Sequence, residues 1–302
     1  MTRGQTDRSP RGPSLPRPTM LAAGDGVQVA TYSIRSGASG RPLLAAHATG
    51  LCAATLAPMV THLPAAVPVV LFDERGHGAS GRPGSGSFAW QGFADDALAV
   101  CDGLKLSRPL GFGHSCGGAA LLLAELARPG TFAGLYLYEP VVRPAASSGS
   151  LPSPDNPLVL AARRRRPRFA SRQQAMANFA TKAPFAGIDP DALAAYVTHG
   201  LRASAEGDLE LCCAREDEAA VYAASGAHGA FERLGDVRCP VTIACGSEPG
   251  TLDATVLAPA ARRIPGAELV VLPGLGHFGP LQDPAAVARS LIGSATWAAC
   301  MA

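Results

Sequence analysis

The sequence predicts an α/β fold, in which helices cover both faces of a mostly parallel sheet and an inserted helical segment interrupts the pattern. Short apolar runs alternate with stretches of helical periodicity over residues 19–144, and the alternation resumes over residues 236–302. Residues 145–235, between these two blocks, contain no run typical of a buried strand. Alternation of this kind is typical of parallel strands joined by helices.

The composition is that of a folded chain with a sizeable core. Of 302 residues, 47% are hydrophobic and 17% are charged, and the formal net charge is +2. These values exclude a disordered chain and give no reason to expect nucleic acid or a membrane as a partner. Residues 1–18 are rich in Arg and Pro and lack a signal-peptide core, so we predict a disordered leader and a cytoplasmic protein. A small-molecule substrate is the expected partner, and a homo-oligomer is left open.

The first block contains the predicted elements in a regular order. The stretch "LAAGDGVQVATYSI" predicts two short strands around a Gly-Asp-Gly turn, and "RPLLAAHATG" and "VPVVLFDERGHGAS" predict buried strands that end in loops of small residues. The stretch "FADDALAVCDGL" has helical spacing, "RPLGFGHS" predicts a strand, and "CGGAALLLAELARPG" predicts a helix that stops at Pro-Gly. The strand "FAGLYLYEP" closes the block.

The second block repeats the pattern after the insertion. It contains a strand in "CPVTIACG", a helix in "TVLAPAARRI", a strand in "AELVVLPG" and a final helix in "DPAAVARSLIGSA". Asp283 is the expected N-cap of that helix, with Pro284 at its first position. An insertion of this kind is expected over the strand ends, where it could cover a pocket.

The stretch "GFGHSCGG" places Ser115 between a predicted strand and a predicted helix, and residues 113–117 match G-x-S-x-G. In that context a sharp turn exposes the serine hydroxyl, and the flanking glycines permit close backbone approach. The helix N-terminus favours negative charge developing there. Ser115 is therefore the candidate nucleophile, against the alternative of a plain glycine-rich turn.

His277 is the candidate base, because it follows the last predicted strand in the Gly-rich loop of "GLGHFGPLQDP". His77 and His114 are interpreted as structural. An oxyanion hole needs two backbone N–H groups. Cys116, directly after the serine, is expected to supply one, and Thr49 in "HATG" the other, with the neighbouring Gly50 as an alternative.

Four pieces of the sequence, "HATG", "DERGHGAS", "GHSCGG" and "GHFGPLQDP", resemble the α/β-hydrolase superfamily in content and in order over residues 20–295. The resemblance implies an eight-stranded, mostly parallel sheet and a helical cap over about residues 145–235. Many members carry an aspartate three residues after the glycine that ends the next-to-last strand. That position is Pro249 here, and Glu248 and Asp253 are out of register.

Glu139 is our choice for the acid that orients His277. It ends the strand that follows the nucleophile's helix, so it should emerge at the same edge of the sheet. This placement is similar to that in some haloalkane dehalogenases. A carboxylate at an apolar strand exit is costly without a partner. The alternatives are a glutamate that binds loop amides, or Glu248 as the acid.

Other polar features are interpreted without a catalytic role. The eight cysteines include no CxxC pair and are expected as small buried residues. The Asp73-Glu74-Arg75 cluster is expected to hold its loop through an ion pair. The arginine run Arg163, Arg164, Arg165 and Arg166, with Arg168, usually indicates a solvated helix face or a mobile cap segment, and an acidic substrate or partner is left open.

These features together predict a serine hydrolase that cleaves an ester or related acyl bond of a small, largely apolar substrate through an acyl-enzyme, with a Ser115-His277-Glu139 triad. No motif indicates a cofactor or a metal. Carbon–carbon bond hydrolases, lactonases and perhydrolases are similar in using the same constellation. A non-enzymatic small-molecule receptor on the same fold is the alternative from a different class.

Overall fold

A computed structural model describes residues 14–144, 156–225 and 227–301. Most of the predicted leader, residues 1–13, and the first part of the predicted insertion, residues 145–155, lie outside the described residues. Residues 14–18 run into the first strand, and Leu15 is half-buried against the core.

The described residues form eleven strands in two sheets. In chain order they are β1 (Thr19–Ala22), β2 (Gln28–Ile34), β3 (Leu43–Ala46), β4 (Val69–Phe72), β5 (Leu110–His114), β6 (Gly134–Tyr138), β7 (Arg168–Phe169), β8 (Leu201–Ala203), β9 (Leu209–Leu211), β10 (Val241–Gly246) and β11 (Glu268–Leu272). Eight of them form one sheet in the order β1-β2-β4-β3-β5-β6-β10-β11. The β1-β2 and β2-β4 pairs are antiparallel and the others are parallel. The predicted mostly parallel sheet is confirmed.

Eleven α-helices are found in the same described ranges. They are α1 (Ala57–Thr61), α2 (Trp90–Gly103), α3 (Cys116–Ala127), α4 (Pro157–Arg164), α5 (Arg172–Ala180), α6 (Pro190–His199), α7 (Arg215–Ala223), α8 (Ala254–Arg263), α9 (Gly279–Gln282), α10 (Pro284–Gly293) and α11 (Ala295–Met301). Within the parts of the chain that the structure describes, no helix is both long and apolar enough to cross a membrane.

Helices cover the sheet on both faces, and each face has its own core. Residues of α2, α3 and α8 pack against one face, and residues of α1, α10 and α11 pack against the other. The central strands β3, β4, β5 and β6 are buried along their whole length, which explains why they are continuous apolar runs rather than alternating patterns. All eight cysteines are free thiols, and seven are buried.

The sequence predicts a helical insertion between β6 and β10. The structure places α4 to α7 there, but the segment also contains strands, so the purely helical insertion is wrong. The strands β7, β9 and β8 form a small antiparallel sheet within it. These strands have only two or three residues each, which is too short for an apolar run or an alternation to show in the sequence.

The termini of the last helices follow from local chemistry. The Asp283 carboxylate accepts the backbone N–H of Ala286 at 2.7 Å, and Pro284 begins α10, so the predicted cap is confirmed. The short helix α1 and the terminal helix α11 were not predicted. Helix α1 has five residues, fewer than a periodic pattern needs to be recognised.

Candidate active site

Ser115 occupies a strained turn between β5 and α3. Its backbone angles are φ 56° and ψ −112°, a region that residues other than glycine rarely adopt. The flanking glycines are required by space: a Cβ on Gly113 would lie 2.5 Å from the Gly118 Cα, and one on Gly117 would lie 2.5 Å from the Ala46 oxygen. The turn therefore presents the serine at the carboxyl end of the sheet and at the first turn of a helix.

The structure brings the three predicted side chains Ser115, His277 and Glu139 together. The Ser115 Oγ lies 3.1 Å from the His277 Nε2, and the His277 Nδ1 lies 2.7 Å from a Glu139 carboxylate oxygen. Ser115 and Glu139 are buried, whereas 29% of the His277 side chain is exposed. With Nδ1 carrying the proton towards Glu139, Nε2 is free to accept the serine proton.

Glu139 is held from both ends. Its backbone has φ 44°, and its N–H donates to the Ala244 carbonyl oxygen on β10 at 2.8 Å. Its second carboxylate oxygen accepts the Gly246 N–H at 3.0 Å. One carboxylate oxygen therefore accepts from the loop amide and the other from the imidazole. The alternative of a glutamate that binds only loop amides accounts for the first contact but not for the second.

The alternative acid, Glu248, lies beside the loop that carries His277 but has no bond to the imidazole among the described residues. It is exposed, and its N–H donates to the Leu275 carbonyl oxygen at 2.9 Å. No hydrogen bond or ion pair joins its side chain to His277 in the described part of the chain. Asp253, also out of register in the sequence, accepts N–H groups of Thr255 and Val256 as the N-cap of α8.

Two side chains position the loop that carries His277. The His114 Nε2 donates to the His277 carbonyl oxygen at 2.8 Å, and the Tyr138 hydroxyl donates to the Gly276 carbonyl oxygen at 2.8 Å. Burial and the nearby His277 hold the pKa of His114 well below its usual range, so the ring is neutral. The structural role predicted for His114 agrees with this contact. The role of Tyr138 was missed, because its partner lies 138 residues away in the sequence.

The N–H groups of Thr49 and Cys116 have no hydrogen-bond partner among the described residues, as oxyanion donors require. The Cys116 N–H is at the first position of α3, where no intrahelical acceptor exists. The alternative Gly50 N–H is occupied, because it donates to the His77 Nε2 at 2.9 Å. Burial lowers the pKa of His77 to about 3, which keeps that nitrogen an acceptor.

Cys116 does not compete with Ser115 as a nucleophile. Its side chain is fully buried, and burial, together with the charge of Glu74, raises the pKa of the thiol well above its usual range. A thiol reacts as its thiolate, so this sulfur is unreactive.

The Asp73-Glu74-Arg75 cluster stabilises the loops behind the site. Arg75 forms a bidentate ion pair with Asp96 of α2, and both N···O distances are 2.7 Å. Asp73 accepts the Ala53 N–H and the Tyr32 hydroxyl at 2.7 and 2.8 Å. The expected ion pair is present, although its partner lies outside the cluster.

A cavity of about 930 Å³ opens beside Ser115 and His277. The sheet edge forms its floor, and α4, α5 and α7, with the loop after α5, form much of its wall. Large apolar side chains line it: Leu51, Trp90, Val141, Leu158, Phe179, Phe185, Tyr222, Leu252 and Phe278. A cavity of this size can hold a small molecule beside Ser115.

A strained serine at a strand-to-helix turn, a histidine after the last strand and a mostly parallel sheet under an inserted segment define the α/β-hydrolase class. A family model described as "Alpha/beta hydrolase family" matches residues 43–290. The chain therefore belongs to the alpha/beta hydrolase family, and a hydrolase is the coarse function that this membership carries.

Solved structures of similar architecture support the same fold. E-2-(acetamidomethylene)succinate hydrolase matches with a TM-score of 0.75 and 20% identity, covering 91% of this chain and 97% of that one. A thermophilic esterase from Thermogutta terrifontis matches with a TM-score of 0.69 and 20% identity, covering 91% and 97%. The enol-lactonase from Burkholderia xenovorans matches with a TM-score of 0.70 and 18% identity, covering 91% and 98%. A search among curated protein sequences finds no match.

Proposed function

We propose that this chain is a serine hydrolase that cleaves a carboxylic ester or related acyl bond by way of an acyl-enzyme. One observation carries the proposal: a hydrogen-bonded series from Ser115 through His277 to Glu139 opens onto a cavity of about 930 Å³. A hydroxyl becomes a nucleophile only when a base takes its proton, and an oriented imidazole is such a base.

The reaction proceeds in two steps, acylation of Ser115 and hydrolysis of the acyl-enzyme. The Ser115 oxygen attacks the substrate carbonyl carbon, and its proton moves to the His277 Nε2. The oxyanion accepts the N–H groups of Thr49 and Cys116. The carbon–oxygen bond to the leaving alcohol then breaks, and the imidazolium returns its proton to that alcohol. Water, deprotonated by the His277 Nε2, then attacks the acyl carbon. The bond from that carbon to the Ser115 oxygen breaks, the imidazolium returns its proton to that oxygen, and the carboxylic acid leaves.

Glu139 acts through His277 rather than on the substrate. Its carboxylate keeps the proton on Nδ1 and stabilises the imidazolium that forms when Nε2 takes the serine proton. Because the Glu139 side chain is only 3% exposed, water does not replace this interaction.

The test combines a covalent probe with turnover of 4-nitrophenyl esters of short and medium acyl chains. A fluorophosphonate should label the wild-type protein at one residue, identified as Ser115 by peptide mass spectrometry, and Ser115→Ala should lose both labelling and turnover. The expected loss in kcat is about 10³-fold or more, as for other triad nucleophiles.

Ser225→Ala is the matched control. Ser225 lines the same cavity, but its hydroxyl donates to the Tyr222 carbonyl oxygen at 2.8 Å, and among the described residues no hydrogen bond joins it to a histidine. We expect this variant to be labelled and to turn over esters like the wild type. Absence of labelling in the wild type would contradict the serine nucleophile. Labelling without turnover of any ester would contradict only the ester part of the proposal.

A further inference from the structure

The charged side chains of the cavity are mostly of one sign. Among the described residues that line it, five are cationic and one is a carboxylate, Glu218. The cationic residues are Arg143, Arg164, Arg165, Arg166 and Lys182. The formal net charge of the whole chain is only +2, so this concentration is local to the cavity.

The single carboxylate is already neutralised. Glu218, on α7, forms an ion pair with Arg165, whose guanidinium also donates to the Tyr196 hydroxyl. Both side chains of the pair are largely buried. Glu218 is therefore not available to balance the remaining cationic side chains.

The other cationic side chains have neutral partners or none. Arg166 donates to the Arg168 carbonyl oxygen and to the Gln174 side chain, and Lys182 donates to the Asn178 side chain. Within the described parts of the chain, no ion pair or hydrogen bond is found for Arg143 or Arg164. Arg164, Arg166 and Lys182 are exposed to solvent, whereas Arg143 is partly buried. Arg143 is therefore the unpaired cationic side chain best placed to favour an anion in the cavity.

The arginine run is therefore divided in two. Arg163 is half exposed and forms an ion pair with Glu216 outside the cavity, with an N···O distance of 3.0 Å, whereas the next three arginines line the cavity wall. Arg163, Arg164 and Arg166 are exposed, as the interpretation of a solvated run requires. Arg165 departs from it, because its side chain is largely buried in the ion pair with Glu218.

Two buried donors in the cavity lack acceptors. The Trp90 Nε1 and the Arg143 Nε are both buried, and neither has a hydrogen-bond partner among residues 14–144, 156–225 and 227–301. Buried N–H groups are nearly always paired, and an unpaired one is costly. Both residues line the cavity that contains Ser115, so a molecule bound there would lie beside both of them.

We propose that the substrate carries a carboxylate, remote from the bond that is cleaved, which Arg143 binds with help from the Trp90 N–H. A guanidinium offers N–H groups in the planar geometry that suits a carboxylate, and such charged hydrogen bonds are strong in a dry site. The proposal rests on the proposed function, and it refines that function from an apolar ester to an ester of an anionic molecule.

Two esters with the same six-carbon acyl chain test the proposal. They are 4-nitrophenyl hexanoate and the mono-4-nitrophenyl ester of adipic acid, which differ by the terminal carboxylate. The readout is the ratio of kcat/KM for the anionic ester to that for the neutral one, because a general effect on the Ser115 chemistry cancels in this ratio. We expect the ratio to be about 10 or more in the wild type, the usual size of one charge-assisted contact.

Arg143→Met should lower the ratio by about tenfold, since it keeps an unbranched apolar stem and removes the guanidinium charge. Arg163→Met is the matched control, because it removes an arginine of the same run that does not line the cavity, and the ratio should not change. A ratio near one in the wild type, or an equal fall in both variants, would overturn the proposal.

A binding measurement separates this proposal from the proposed function. Adipate is titrated calorimetrically into Ser115→Ala and into Ser115→Ala combined with Arg143→Met. Adipate should bind the first protein about tenfold more tightly than the second, and more tightly than inorganic phosphate. Fluorophosphonate labelling with no adipate binding would overturn the carboxylate site alone. Binding without labelling would overturn the proposed hydrolase and leave the carboxylate site standing.

Discussion

Replacing Glu139 with Gln tests the least expected member of the site. The Glu139 carboxylate accepts two N–H groups, from the His277 Nδ1 at 2.7 Å and from Gly246 at 3.0 Å. Glutamine has one acceptor oxygen and one donor NH₂ group. In Glu139→Gln, the NH₂ group must therefore face either the Gly246 N–H or the His277 Nδ1–H, which are both donors. If His277 avoids this by moving its proton to Nε2, that nitrogen can no longer accept from Ser115.

The size of the effect follows from the charge that is removed. Unit charges about 4 Å apart interact by about 4 kcal/mol at an effective dielectric constant of about 20. Glu139 and the imidazolium approach this separation, and the interaction is strongest when the imidazolium forms in the transition state. A loss of about 4 kcal/mol corresponds to about a thousandfold in kcat, and KM should change little because the substrate does not touch Glu139.

Steady-state release of 4-nitrophenolate measures this loss, and Glu248→Gln is the control. Glu248 is exposed, and in the described part of the chain no hydrogen bond or ion pair joins its side chain to His277, so kcat should stay within about twofold of the wild type. A larger loss in Glu248→Gln, or less than about a tenfold loss in Glu139→Gln, would refute the assignment.

Two further predictions concern the loops behind the site. Arg75→Met should lower the free energy of unfolding in urea by about 3–5 kcal/mol, because it leaves the buried Asp96 carboxylate unpaired. Adding Asp96→Asn should recover part of this loss, and a loss below about 1 kcal/mol in the single variant would contradict the argument. His77 has a folded-state pKa of about 3, below the value of about 6.5 in an unfolded chain, so only the unfolded chain gains this proton between those values and stability falls as pH falls. The drop in unfolding free energy from pH 7 to pH 5 should be about 2 kcal/mol smaller in His77→Gln, which can still accept the Gly50 N–H; an equal drop would exclude His77 as the cause.

The sequence predicts the sheet well because buried parallel strands are apolar along their whole length. β3, β4, β5 and β6 are runs of this kind, and their order with the intervening helices predicts the architecture. The strands of the insertion have two or three residues and carry no such signal.

In the site, Ser115 and His277 could be predicted from turn chemistry and strand order. Glu139 could be predicted from its position at a strand end, although position alone did not exclude Glu248. The contacts of Tyr138 and His114 could not be predicted, because their partners lie 138 and 163 residues away in the sequence. Pairings over such separations depend on the register of the folded sheet, which no local pattern encodes.

Because Glu139 is hydrogen-bonded to the sheet, the loop after β10 does not have to hold the acidic residue beside His277. The Ser115 N–H donates to the Tyr138 carbonyl oxygen, and the Glu139 N–H donates to that of Ala244, so Ser115 and Glu139 are joined through neighbouring strands. The loop after β10 carries neither, yet its Thr251 and Leu252 line the cavity. Substitutions in this loop can therefore change the shape of the cavity without disturbing the hydrogen bonds that join Ser115, His277 and Glu139.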